Sequence, residues 1–282
     1  MITVEPTGGA CGASVRGIDL TAPIGAEDLQ ALETAWYEHH VLVFPEQRLS
    51  DEDLVAVARA FGGIGDDPFF ESIAPGNPVV AIKREADETA PVFAQGWHTD
   101  WSFKAAPPRG TCLYGITIPP VGGETGFCNQ QQALAEMPGA LRARLEGRTA
   151  LHSAATAYAP EGLYGEQDPS EQRSMRILYS ESARAQRGHP IILEHPESGR
   201  ETLFGCAGYI CGIEGMDQKE ADALVGELYA WQTQERFQYT HRWETDMLVI
   251  WDNRSVLHRA YAGFDGHARE LHRVTIRGAA EF

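Results

Sequence analysis

Two stretches, Trp97-His98-Thr99-Asp100 and Trp251-Asp252-Asn253-Arg254-Ser255-Val256-Leu257-His258, carry the strongest structural signal in the chain. Two imidazoles and one carboxylate can occupy one face of an octahedral iron(II) ion and leave three adjacent positions open. Residues i and i+2 of a strand point the same way, so His98 and Asp100 are expected to face one cavity. His258 must then arrive from a second strand. The pattern predicts two strands, distant in the sequence, that converge on one metal ion.

The composition limits the classes of partner. The chain has 282 residues, 43% of them hydrophobic, which is enough for a sizeable core. Its net charge of −17 disfavours phosphate backbones and anionic lipid surfaces. We therefore expect neither nucleic-acid binding nor membrane binding.

The chain carries no recognisable export or membrane signal. The N-terminus, Met1-Ile2-Thr3-Val4-Glu5-Pro6, lacks a basic region followed by an apolar run, and no stretch approaches 18 apolar residues. The 5 cysteines are scattered and form no C-x-x-C pair, which is typical of reduced thiols. A cytoplasmic protein is expected.

Hydrophobic periodicity predicts a mainly β fold with helical decoration. Strands are expected where apolar runs end in turn residues, and helices where apolar residues recur every three or four positions. The predicted strands include residues 40–45, 78–82, 110–116, 247–251 and 271–277, with a hairpin over 189–204; the predicted helices are 26–39, one from 50 to about 61, 130–145 broken at Pro138-Gly139, and 217–234. The polar segment at about 158–188 is expected to be a long insert or lid. Many short strands with few helices indicate a sandwich or jelly roll.

A second cluster of candidate residues follows His258. Arg269 and Arg273 share strand parity, so both guanidinium groups are expected on one face, where they could hold organic anions. Thr125, in the run Gly122-Gly123-Glu124-Thr125, could add one hydrogen bond. The plain alternatives are a solvated strand end for the arginines and a simple turn for Thr125. An isolated H-x-D pair is also common by chance, and the combination of motifs is what favours a metal site.

The chain resembles the taurine dioxygenase and 2,4-dichlorophenoxyacetate dioxygenase family of iron(II)- and 2-oxoglutarate-dependent oxygenases. The resemblance covers nearly the whole chain, and its motifs occur in the family's order. They are Gly12 to Leu20, His40 to Gln47, Trp97 to Asp100, Gly122 to Thr125, Trp251 to His258, and Arg269 to Arg273.

This resemblance implies a single domain over residues 1–282 with a clavaminate synthase-like double-stranded β-helix, or jelly roll. It implies iron(II) held by His98, Asp100 and His258, and 2-oxoglutarate and dioxygen as co-substrates. Thr125 and Arg269 would bind the distal carboxylate of 2-oxoglutarate, and Arg273 would lie near the co-substrate and a substrate anion. A homo-oligomer, dimer or tetramer, is also implied.

The expected reaction is hydroxylation of a small organic anion, with decarboxylation of 2-oxoglutarate to succinate and CO2. Related halogenases replace the carboxylate ligand with a small residue, whereas Asp100 is present here. Trp101, Phe69 and Phe70 are candidate substrate contacts, with ordinary core packing as the alternative.

The taurine-type enzyme has a histidine near the position of Phe69 and an asparagine close before the H-x-D motif. Here Asp66-Asp67-Pro68 and Ala94-Gln95-Gly96 stand instead, so taurine itself is not expected. Sulfonates, alkyl sulfates, aryloxyalkanoates and other carboxylates remain open as substrates.

Two other functions remain compatible with the same scaffold. A cupin-like metal-dependent isomerase or hydrolase would need no 2-oxoglutarate, and Arg269 and Thr125 would then be idle. A non-catalytic small-molecule sensor would bind ligand without turnover, which an intact set of metal ligands disfavours.

Overall fold

Strands dominate the architecture. The computed structural model describes residues 1–168 and 172–278. In that part of the chain the strands are β1 (Thr3–Pro6), β2 (Ala13–Arg16), β3 (Val41–Phe44), β4 (Val80–Arg84), β5 (Gly110–Thr117), β6 (Thr125–Asn129), β7 (Thr149–Ser153), β8 (Gln186–Pro190), β9 (Ile192–Glu194), β10 (Glu201–Leu203), β11 (Ile210–Ile213), β12 (Gln238–His241), β13 (Leu248–Asp252), β14 (Val256–Ala260) and β15 (Arg269–Ile276). The helices are α1 (Ala26–His39), α2 (Asp51–Ala60), α3 (Gln130–Ala135), α4 (Gly139–Leu145), α5 (Ala155–Tyr158) and α6 (Gln218–Gln232).

Seven strands form the large sheet, in the order β1-β2-β3-β13-β5-β15-β4. Its neighbouring strands run antiparallel, except that β2 and β3 are parallel. A three-stranded sheet, β12-β6-β14, supplies the opposite layer. Two small sheets, β11-β7-β8 and β10-β9, complete the strands.

The large sheet is buried on both faces at its centre, which explains the continuous apolar runs of β3 and β13. On one face Leu42 and Ile250 pack with Trp36 of α1 and Leu54 of α2. On the other face a separate core joins residues of the two sheets. Its members are Val41, Val43, Leu113, Phe127, Val249, Trp251, Val256 and Leu271, with other buried neighbours. The site motifs that contain Trp251, Val256 and Leu271 therefore contribute directly to a packed two-layer core.

Local signals set the helix ends. Ser50 and Asp53 form a capping box, in which the Ser50 hydroxyl accepts from the Asp53 backbone and the Asp53 carboxylate accepts from the Ser50 backbone. Asp217 caps α6 in a related way by accepting from Lys219 N. The helix predicted over 130–145 is interrupted at Pro138-Gly139, as expected, and becomes α3 and α4.

The mainly β class with helical decoration is confirmed, and so is the hairpin, as β9 paired with β10. The segment predicted as an insert at 158–188 is partly anchored: Met175 and Ile177 are buried, and Ile177 forms a bridge with Phe70. Residues 169–171 of that segment lie outside the described residues. Within the described ranges, no helix is sufficiently long and apolar to cross a bilayer.

Candidate metal centre

His98 and His258 lie directly opposite each other on antiparallel backbone. The His98 amide donates to the His258 carbonyl at 3.0 Å, and the His258 amide donates to the His98 carbonyl at 2.7 Å. Such a reciprocal pair brings the side chains together. The two imidazole rings are 4.2 Å apart between centroids. The predicted arrival of His258 from a second strand is confirmed, since it belongs to β14.

Asp100 reaches the same place by a different route from the one expected. The sequence predicted a strand through Asp100, but the pairing is an isolated bridge at His98, and the chain then turns at Trp101, whose φ is 45°. The carboxylate is held by two groups of the large sheet. Thr111 Oγ1 donates to its Oδ2 at 2.7 Å, and Arg273 Nη1 donates to its Oδ1 at 3.0 Å. These bonds, rather than strand parity, orient Asp100.

The three side chains fit a single metal ion. One ligand atom from each of His98, Asp100 and His258 lies within 4.8 Å of the others, and Nε2 of His258 is 3.6 Å from Oδ1 of Asp100. Nδ1 of His98 contacts the Gly96 carbonyl at 2.9 Å, which leaves Nε2 as the free ligand atom. Imidazole and carboxylate donors suit divalent iron, manganese or cobalt. The donor set therefore fits a ferrous ion.

Electrostatics keep these groups in the forms that bind a metal. Burial lowers the pKa of His98 and of His258, which favours neutral imidazoles. Burial raises the pKa of Asp100, but the charge of Arg273 and the hydrogen bond from Thr111 favour the carboxylate, and the pKa lies below its usual value. A carboxylate and two neutral imidazoles are ready to coordinate without first losing protons.

Arg269 and Thr125 meet beside the metal ligands. Both are buried, and both line one cavity with His98 and His258. Arg269 Nε donates to the Gly123 carbonyl at 3.1 Å, which fixes the guanidinium plane. Trp243 Nε1 donates to Thr125 Oγ1 at 2.9 Å, so the hydroxyl proton stays available for an acceptor in the cavity. Burial lowers the pKa of Arg269 to about 10, which leaves it cationic at neutral pH.

The prediction that Arg269 and Arg273 lie on one face of the last strand is confirmed. Arg269, Leu271 and Arg273 of β15 all line the cavity that also contains His98 and His258. Arg273, however, is enclosed by acidic groups. Its Nη2 lies 3.0 Å from Oδ1 of Asp67, and its Nη1 lies 3.0 Å from Oδ1 of Asp100. Burial lowers the pKa of Arg273, but the carboxylates of Asp100 and Asp67 raise it by more. The pKa therefore lies above its ordinary value, and the guanidinium stays charged.

The three aromatic candidates pack in one cluster around Trp101, and two of them, Phe70 and Trp101, lie against Arg273. The Arg273 guanidinium lies 5.5 Å from the Phe70 ring centroid and 5.4 Å from that of Trp101. Phe69 stacks on Tyr158 with centroids 4.4 Å apart. All three candidates are almost fully buried, and they are absent from the residues that line the inner and outer cavities. The structure places them in the core, so substrate contact by them stays a prediction.

Two neighbouring cavities, which share His98 as a lining residue, reach the metal ligands. The inner cavity has a volume of about 70 Å³ and is lined by His98, His258, Thr125 and Arg269, among others. The outer one, of about 630 Å³, also reaches His98. Aromatic and apolar residues line much of it, among them Val92, Phe93, Trp97, Tyr158, Leu163, Tyr164 and Tyr209. The outer cavity is large enough for a drug-sized molecule and mostly apolar, as ligand pockets usually are.

Sequence reasoning missed Thr111, Asp67 and Trp243. Each acts through a long-range contact, with Asp100, Arg273 and Thr125 respectively. For Asp67 one signal was available, because it lies in the run Asp66-Asp67-Pro68, where the sequence departs from the taurine-type enzyme. Thr111 and Trp243 lie on or near buried strands and carry no motif of their own.

A mainly β fold with two imidazoles and a carboxylate converging on a cavity defines a class of non-haem iron enzyme. Comparisons with known proteins place the chain more closely. Residues 3–275 match the family model described as taurine catabolism dioxygenase TauD, TfdA family.

Curated and solved relatives agree with that family. The chain is 33% identical over 278 residues to the alpha-ketoglutarate-dependent 2,4-dichlorophenoxyacetate dioxygenase of Cupriavidus pinatubonensis, covering 93% of each chain. It is 30% identical to the (S)-phenoxypropionate/alpha-ketoglutarate-dioxygenase of Delftia acidovorans, with 92% of this chain and 89% of that protein covered. The crystal structure of a taurine dioxygenase from Burkholderia xenovorans superposes with a TM-score of 0.80 at 27% identity, covering 99% of this chain and 90% of that one.

The chain therefore belongs to the TauD/TfdA dioxygenase family. It is an iron(II)- and 2-oxoglutarate-dependent dioxygenase, alpha-ketoglutarate being the older name of the same co-substrate.

Proposed function

We propose that this dioxygenase hydroxylates a small organic anion while 2-oxoglutarate is converted to succinate and CO2. Sulfonates, alkyl sulfates, aryloxyalkanoates and other carboxylates are the candidate classes. The observation that carries the proposal is the convergence of His98, Asp100 and His258, with ligand atoms within 4.8 Å of one another, beside buried Arg269. The two dioxygenases named above as relatives act on aryloxyalkanoates, which supports that class most directly.

His98, Asp100 and His258 are the proposed metal ligands. A ferrous ion held by these three side chains would supply the oxidising chemistry, with 2-oxoglutarate and dioxygen as co-substrates. The protein fixes the geometry: the Gly96 carbonyl orients the His98 ring, and Thr111 orients the Asp100 carboxylate. The carboxylate at position 100 favours hydroxylation over halogenation.

Arg269 and Thr125 are the proposed partners of the distal carboxylate of 2-oxoglutarate. A guanidinium can grip a carboxylate with two charge-assisted bonds, and a hydroxyl can donate a third. Because Thr125 and Arg269 are buried, each bond is stronger than it would be in water. Arg273 is proposed to hold Asp100 in place next to the co-substrate.

The substrate is proposed to enter the outer cavity and reach the metal past His98. Residues 156–158 and 161–164 line that cavity, which supports a lid role for part of the 158–188 segment. The two sheets, which pack through a shared core, support a double-stranded β-helix in one domain. The free cysteines support a cytoplasmic setting, and homo-oligomerisation remains part of the proposal.

A succinate-release screen tests the function. The purified protein with iron(II) and 2-oxoglutarate is offered sulfonates, sulfate esters, aryloxy acids and amino acids. At least one anion is expected to stimulate succinate formation, and His98→Ala or His258→Ala is expected to abolish it. Normal turnover by either variant would refute the metal assignment. Turnover of a compound without 2-oxoglutarate would favour the isomerase or hydrolase, and ligand binding without succinate would favour the sensor.

A further inference from the structure

Asp67 lies on a loop, and both of its carboxylate oxygens accept a hydrogen bond from another side chain. Its Oδ1 accepts from Trp101 Nε1 at 2.7 Å, and its Oδ2 accepts from Thr275 Oγ1 at 2.7 Å. Its side chain is 5% exposed, and that of Arg273 is 6% exposed. Asp67 is therefore a fixed, desolvated negative charge at 3.0 Å from the Arg273 guanidinium.

The charges on the metal, on 2-oxoglutarate and on Arg269, Arg273, Asp67 and Asp100 would balance before any substrate arrives. Arg269, Arg273 and a ferrous ion would supply four positive charges. Asp100, Asp67 and the two carboxylates of 2-oxoglutarate would supply four negative charges. Three further cationic groups line the inner cavity and have acidic partners within 4 Å, namely Lys83 with Glu85, Arg84 with Glu88, and Arg173 with Asp168.

Arg259 also lines the inner cavity and adds one positive charge to its wall. Its guanidinium lies over the rings of Tyr261 and Trp97, at 4.8 and 5.6 Å from their centroids. The charge balance at Arg273 is therefore set by its own direct contacts, Asp67 and Asp100, each 3.0 Å away.

An anion placed against Arg273 would meet two carboxylates within a few ångströms in a buried site. Like charges at such distances repel strongly when water is excluded. An uncharged acceptor avoids this penalty, and Arg273 Nε has no hydrogen-bond partner among the described residues. An ether, ester or carbonyl oxygen could satisfy that donor without adding charge.

We infer that Asp67 is a specificity-determining residue: it cancels the charge of Arg273, so the part of the substrate beside Arg273 is uncharged. The inference rests on the proposed function and refines it. An anionic substrate would keep its charged group toward the open end of the outer cavity and present an apolar or ether-bearing portion to the metal. Removing the charge of Asp67 would create an anion site at Arg273.

The test measures binding without turnover. The protein is loaded with Mn(II) and 2-oxoglutarate under anaerobic conditions and titrated calorimetrically with phenoxyacetate and with phenoxyacetamide, its uncharged counterpart. The wild-type protein is expected to bind the anion no more tightly than the amide. Asp67→Asn is expected to bind phenoxyacetate at least tenfold more tightly than wild type, about 1.4 kcal/mol, with the amide unchanged.

Asp66→Asn is the matched control. It removes the same charge from the neighbouring residue, which is 75% exposed and pairs with Lys104 rather than Arg273. It is expected to leave both affinities unchanged.

A wild-type preference for phenoxyacetate of tenfold or more would overturn the inference, and this result does not depend on any variant folding. So would equal or undetectable binding of the anion by wild type and Asp67→Asn, or an equal gain in Asp66→Asn. The proposed function is tested separately, by succinate release. If no compound stimulates it while the binding pattern appears as expected, the function fails and the role of Asp67 stands.

Discussion

Replacement of Arg269 by lysine isolates the geometry of the proposed 2-oxoglutarate site from its charge. Arg269 is buried, bonds Gly123 through Nε, and leaves the rest of its guanidinium beside Thr125. Lysine keeps the positive charge but cannot make two parallel bonds to a carboxylate. Loss of one charge-assisted hydrogen bond costs about 1.5–3 kcal/mol, which raises the Kd for 2-oxoglutarate by roughly ten- to 150-fold.

Calorimetric titration of 2-oxoglutarate into the anaerobic Mn(II)-loaded protein measures this change directly. Arg84→Lys is the matched control, because Arg84 lies opposite Arg269 across β15 and β4 and lines the same cavity. Its guanidinium is already committed to the Glu88 carbonyl, at 2.7 Å, and to the Ala90 carbonyl. The control is expected to keep the wild-type Kd. An unchanged Kd in Arg269→Lys, with Mn(II) still bound, would refute the assignment.

Three further outcomes are expected. Trp243→Phe removes the donor that orients Thr125 and is expected to raise the Kd for 2-oxoglutarate severalfold, about 0.5–1.5 kcal/mol, with kcat at saturation little changed; a fall in kcat alone would contradict this role. Since the pKa of free Arg269 is lowered to about 10, its cationic form is lost as the pH rises through that value, and the Kd should begin to rise there but stay constant between pH 7 and 9; a Kd that is flat to pH 11 would exclude Arg269 as the partner. Asp252→Ala removes the buried carboxylate that Arg254 and His195 share, leaving Arg254 with Glu197 alone, and is expected to lower the free energy of unfolding in urea by about 3–5 kcal/mol; a loss under 1 kcal/mol would count against a structural role.

The sequence allowed the metal ligands to be predicted because their residue types are rare in combination and their spacing is simple. The apolar runs of β3 and β13 were equally readable, since strands buried on both faces carry no alternation. Strand parity in β15 correctly brought Arg269 and Arg273 to one face.

Other features depended on contacts that no local pattern encodes. The strand predicted through Asp100 was wrong, because the chain turns there and Thr111 and Arg273 orient the carboxylate. The side chains of His98 and Asp100 nevertheless come together. Trp101 and Phe70 are aromatic residues of the kind that often line substrate pockets, yet in the structure they pack against Arg273. The charge of Asp67 gains meaning only from its distance to Arg273, which tertiary packing sets.

Anomalous X-ray diffraction from crystals loaded anaerobically with iron(II) would locate the metal itself. One strong iron peak is expected within bonding distance of Nε2 of His98, Nε2 of His258 and a carboxylate oxygen of Asp100. An iron peak bound elsewhere, or a protein that binds no iron while these three side chains keep their positions, would contradict the metal assignment.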